Sequence, residues 1–112
     1  MSNKDKVVLK KIIAYCNDVD TLNERYARSF LAFKNDIAFQ YSVNMCIIQI
    51  GELVSRLSNE LKDQYSEIPW SEIRAMRNIH AHDYENVDLS IVWHTINEEI
   101  PALREQIRKI ME

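Results

Sequence analysis

A single glycine in 112 residues constrains this chain more than any other feature. At an average usage near ~7%, about eight would be present. Glycine supplies the positive-φ positions of tight hairpins and lets a backbone approach phosphate closely. A β-sandwich, a dinucleotide-binding fold and a P-loop all need such positions and are close to excluded. The chain is therefore expected to be helical with short connections. Its length supports one domain spanning residues 1–112. The hydrophobic share of 46% is ordinary for a globular protein and argues against general disorder.

The formal net charge of −3 means that no global field draws the protein to nucleic acid, so any such contact needs a local basic cluster. Cys16 and Cys46 fall inside apolar helical patterns and read as buried thiols in a reducing compartment. No apolar run approaches the ~18 residues of a membrane span, and no signal-peptide core is visible, so a cytoplasmic location is expected.

Four helical segments are predicted. The first runs from about Lys4 to Arg28, with Val8, Ile12, Tyr15, Val19, Leu22 and Tyr26 drawing one apolar stripe. After a break near Lys34-Asn35-Asp36, where Asn35 or Asp36 can cap, the second runs from Ile37 to about Gln64. It carries two apolar lines, one through Ile37, Tyr41, Met45, Ile48 and Glu52, the other through Phe39, Val43, Ile47, Ile50, Val54, Leu57 and Leu61. A helix apolar on two sides needs two partners, here the chain's own core and a second subunit. Gly51 lies inside it at a cost of ~1 kcal/mol relative to alanine, which points to the close approach of a neighbouring helix. Pro69 suits the first turn of a third helix reaching about His82, and Asp88 can cap a fourth. Pro101 should kink or restart that last helix. A four- to five-helix up-down bundle is the economical all-α architecture.

The reactive side chains crowd into one stretch: Arg74, Arg77, Asn78, His80, His82, Asp83 and Tyr84. Arginine offers a permanent planar cation for phosphate oxygens, and histidine exchanges a proton near neutrality. Together they are parts for phosphodiester chemistry without a metal: an imidazole to deprotonate a ribose 2′-OH and a guanidinium to neutralise charge growing on phosphorus. On an unbroken helix Arg77 and Tyr84 fall about 20° apart, whereas Arg77 and His82 fall about 140° apart. Either the helix ends or distorts near Ala81, or the arginine of one subunit works beside the histidine of another.

A rival is metal binding through His80-Ala81-His82-Asp83. His-x-His shares a face on a strand but not on a helix, and further ligands are hard to nominate. His94, beside Trp93, reads as structural.

Ile50-Gly51-Glu52, Ile68-Pro69-Trp70, Met76-Arg77-Asn78, His82-Asp83-Tyr84, Val87-Asp88, Val92-Trp93 and Pro101 follow in an order that resembles the HepT-like branch of the HEPN superfamily. The central element is Arg-x4-His-x-Tyr, met by Arg77, His82 and Tyr84. Ala75 stands where the family often has glycine before this run, a departure that bears on helix packing more than on chemistry. The resemblance implies an all-helical homodimer acting as a metal-independent endoribonuclease toxin, with no cofactor and RNA as substrate. It also implies a partner antitoxin of the MNT nucleotidyltransferase class that transfers AMP to the motif tyrosine, here Tyr84. On this reading Arg77 and His82 are catalytic, while Asn78, Tyr84, Asp83, Arg74 and His80 bind or support substrate. The alternatives are a non-catalytic helical module that binds a nucleotidyltransferase or a nucleotide, and a metal-dependent hydrolase.

Overall fold

The computed structural model describes the backbone of residues 1–82 and 86–112, and the side chains of all of these but 79–82. Every regular element among the described residues is helical, so the all-α bundle stands. The first helix, α1 (Asn3–Arg25), starts at Ser2, whose hydroxyl accepts from the Asp5 amide at 3.0 Å. It ends three residues earlier than expected. Ala27 and Arg28 take left-handed φ values of 57° and 50°, a turn made without glycine. The Arg28 amide reaches back to the Asn23 carbonyl at 2.8 Å, and its guanidinium holds Asp20 and Glu24 at 2.7 and 3.1 Å. The chain then forms a short helix that periodicity did not separate, α2 (Phe30–Asn35), capped by Ser29. Asp36 caps α3 (Ile37–Ser55) through the Phe39 amide at 2.9 Å.

The long second helix expected to reach Gln64 is in fact two. After α3 the chain turns, and α4 (Asn59–Gln64) begins at Ser58. The reason lies 53 residues upstream. The Ser58 amide and hydroxyl both donate to the buried carboxylate of Asp5, at 3.0 and 2.5 Å, while the same hydroxyl accepts from the Leu61 amide at 3.2 Å. A serine so engaged cannot continue the helical ladder. Burial opposes ionisation of Asp5, but the hydrogen bonds from Ser58 and Ser2 outweigh it and hold the carboxyl below its ordinary range.

Beyond α4, α5 (Trp70–His82) begins just after Pro69. The last segment comprises α6 (Leu89–His94), capped by Asp88, a π-helical turn at Thr95–Glu99, and α7 (Ile100–Met111). Pro101 sits in the first turn of α7. The strain of the expected interruption is taken up just upstream, where the Ile100 amide bonds to the Thr95 carbonyl five residues back.

Helix α3 is the central rod, packed between α1 and α5, while α7 closes against α1. Its length and average apolarity would suffice to cross a membrane, but one face is built into the core through Phe39, Val43, Ile47, Ile50 and Val54. Cys46 on that face and Cys16 on α1 are both buried, which pushes their thiols up to about 11 and about 12. They are thus inert core groups rather than nucleophiles. On the opposite face of α3, Ile37, Tyr41 and Met45 are 61%, 57% and 55% exposed.

Candidate functional site

Helix α5 carries the motif arginine and is anchored at its start. Trp70 and Ile73 are buried, and the Trp70 indole N–H donates to the Tyr65 carbonyl at 3.1 Å. Two turns later α5 crosses α3 at Gly51. A Cβ on Gly51 would lie 2.6 Å from the Cβ of Arg77 and 3.4 Å from the Arg74 carbonyl. The neighbouring helix that the lone glycine implied is therefore α5, and the residue resting on it is the motif arginine.

The residue after that glycine completes the arrangement. Arg77 donates through Nε to the carboxylate of Glu52, and through Nη1 to the Asn78 side-chain oxygen at 2.9 Å. Its side chain keeps 39% exposure while two partners orient the guanidinium. Sequence reasoning assigned Glu52 no role. The available signal was its place at the end of the line Ile37, Tyr41, Met45 and Ile48: a carboxylate closing an apolar stripe beside a helix-crossing glycine calls for a cation.

Arg74 lies one turn before Arg77 and is exposed. Arg74, Ala75 and Asn78 share a depression of about 370 Å³ with Lys62, Trp70 and Ser71. Of the other motif positions, His80 and His82 belong to the backbone of α5, which continues as helix through His82. The helix does not break before that residue, so the backbone sets positions 77 and 82 about 140° apart around the axis. The side chains of His80 and His82, and all of Asp83 and Tyr84, lie outside the described residues, as does the rival metal set His80, His82 and Asp83. His94 is on the surface, 3.8 Å from Glu99.

Comparison with known proteins covers nearly the whole chain. The family model for Ribonuclease HepT-like matches residues 12–110. A Methanocaldococcus jannaschii protein named provisionally as RNase MJ0125 is 32% identical over 107 residues, which cover 96% of this chain and 90% of that protein. A second from that organism, named provisionally as RNase MJ1216, is 32% identical over 107 residues, 96% of this chain and 87% of its own length. From Thermococcus cleftensis, the protein named "Probable ribonuclease HepT" is 34% identical over 91 residues, 80% of this chain and 83% of that protein. No solved structure gives a significant match. With the family model spanning nearly the whole domain, from α1 through the arginine-bearing α5 to α7, the chain belongs to the Ribonuclease HepT-like family.

Proposed function

We propose that this protein is a metal-independent endoribonuclease, the toxin of a HEPN/MNT toxin–antitoxin pair, working in the cytoplasm as a homodimer. The observation that carries the reading is Arg77: a half-exposed guanidinium, oriented by Glu52 and Asn78, at the end of the exposed apolar stripe on α3. Such a group suits the charge that builds on phosphorus during strand cleavage, because its donors are aimed before the substrate arrives. Family membership and the RNase names of the relatives support a ribonuclease-type function.

His82 takes the proton of a ribose 2′-OH. The O2′–P bond forms as the P–O5′ bond breaks, and the departing 5′ oxygen takes its proton from the imidazolium so formed or from solvent water. The products carry 2′,3′-cyclic phosphate and 5′-hydroxyl ends. Positions 77 and 82 diverge around one helix, so the scheme pairs Arg77 of one copy with His82 of a second across the Ile37–Tyr41–Met45 face. Transfer of AMP to Tyr84 by an MNT-type nucleotidyltransferase then adds negative charge and bulk near the arginine and shuts the site. Asp83 and His80 support the histidine and the substrate.

The test is cleavage of RNA by purified protein in the presence of EDTA, with product ends analysed. Cyclic phosphate ends insensitive to chelator are expected, lost in Arg77→Ala and His82→Ala with helicity retained. Cleavage abolished by EDTA would overturn the metal-free scheme, and partner binding without any cleavage would favour a non-catalytic module.

A further inference from the structure

Asn78 faces two ways. Its side-chain oxygen accepts from Arg77, and the residue also lines the 370 Å³ depression that runs from the motif along α5 toward α4. The depression therefore ends at the side chain that holds Arg77, although Arg77 itself does not line it. Its walls hold two cations, Arg74 from α5 and Lys62 from α4, together with Ser71, Asn78 and Ala75. Neither Arg74 nor Lys62 is ion-paired among the described residues, in contrast to Arg28 and Arg77. In a protein of net charge −3, two unpaired cations facing one cleft are a local reversal of sign. Lys62, Trp70 and Ser71 also line an adjoining depression that holds Glu67 and Glu72, so carboxylates bound the cationic stretch at its Lys62 end.

The walls also say how a ligand would be held. The one aromatic residue lining the groove, Trp70, is only 6% exposed, with its N–H spent on the Tyr65 carbonyl. It offers little ring face on which a base could stack. What remains is charge, a hydroxyl and an amide, the donor set for phosphate oxygens rather than for base edges. Arg74 and Arg77 are three residues apart, a rise of about 4.5 Å along the axis, so their long side chains can serve successive phosphates of one strand.

We infer that the Lys62–Arg74–Asn78 groove is a sequence-indifferent phosphate track, which grips single-stranded RNA on one side of the bond held at Arg77. The inference rests on the ribonuclease reading for the place of the scissile bond, while RNA binding itself can be measured without cleavage.

The experiment uses the full chain carrying His82→Ala, titrated with fluorescein-labelled 12-nucleotide oligo(U) and oligo(A) over a range of salt concentrations. Cleavage of the same oligonucleotides by unsubstituted protein is measured separately. Lys62→Gln and Arg74→Gln are each expected to weaken binding about 3- to 10-fold at low salt and to lower the slope of log K against log salt by about 0.7. The loss should be equal for the two sequences, and Arg74→Lys should restore the slope. Arg74 is exposed and Lys62 half-buried, so the substitutions leave the fold intact, as circular dichroism will check. Unchanged affinity and slope in both variants, a loss confined to one sequence, or no RNA binding at all would each overturn the track. Weakened binding in the variants with no cleavage by the unsubstituted protein would uphold the track and sink the enzyme instead.

Discussion

Gly51 and Arg77 meet with no room between them: the Cβ that Gly51 lacks would stand 2.6 Å from the Cβ of Arg77. The lone glycine of the chain thus sets the spacing of α3 and α5 at the position of the motif arginine, and Glu52, the next residue, binds that arginine. Fold and candidate chemistry share one contact.

Gly51→Ala is consequently expected to lower stability even though alanine is the better helix former. Alanine gains about 1 kcal/mol of propensity, while overpacking a closed contact costs about 1–3 kcal/mol. The nearest atom belongs to the base of a side chain, so the helices themselves must part. Chemical denaturation should show a net loss of up to about 2 kcal/mol. RNA cleavage at a temperature where the variant is fully folded should fall as well, because α5 carries Arg77. Equal stability and equal activity would show that the crossing tolerates a methyl group.

Glu52 is expected to act by holding Arg77 rather than by holding the fold. The pair is partly exposed, at 39% and 31%, so breaking it should cost no more than about 1 kcal/mol. Glu52→Ala should nevertheless reduce kcat by about 10- to 100-fold with a smaller change in KM, because the guanidinium loses its orientation. Glu52→Gln retains an oxygen that can accept from Nε and should recover part of the loss. An unchanged kcat in Glu52→Ala would remove the positioning role.

The exposed stripe on α3 predicts association of two copies. Sedimentation should find a dimer, and Met45→Glu should give a folded monomer without RNase activity. Mixing Arg77→Ala and His82→Ala proteins gives a sharper readout. If each site combines one residue from each copy, random exchange restores about a quarter of full activity, since half of the dimers then hold one intact site of two. A monomeric protein, or no recovery on mixing, would contradict the shared site.

Asp5 ties α1 to the start of α4, and its carboxyl is held below the ordinary range. A carboxyl with a lowered folded-state pKa contributes stability that is present above its unfolded value near ~3.9 and is lost as pH falls through the folded value. Stability should therefore decline in that acid window. Asp5→Ala should cost about 1–3 kcal/mol at pH 7, because the part-buried Ser58 amide loses its acceptor, and should flatten the acid limb. An acid limb of the same steepness in Asp5→Ala would assign it to other carboxylates.

Much of this molecule was legible from local pattern. The shortage of glycine removed β and phosphate-loop folds, Asp36 and Asp88 cap where their positions implied, and α5 starts beside Pro69 and reaches His82. The ordered motif pointed to the family before any coordinate. These features are local: caps, turns and periodicity depend on residues within one or two helical turns, and a chain records them directly.

What only the tertiary structure decided depends on groups far apart in sequence. The break at Ser58 comes from Asp5, 53 residues away, and the orientation of Arg77 from Glu52, 25 residues away. The apolar line through Leu57 and Leu61 continues across that break and so conceals it. Periodicity records which side of a helix faces the core, but not where a distant carboxylate captures a serine or an arginine. Such a capture is worth more than the local hydrogen bonds it replaces only once folding has removed the competing water.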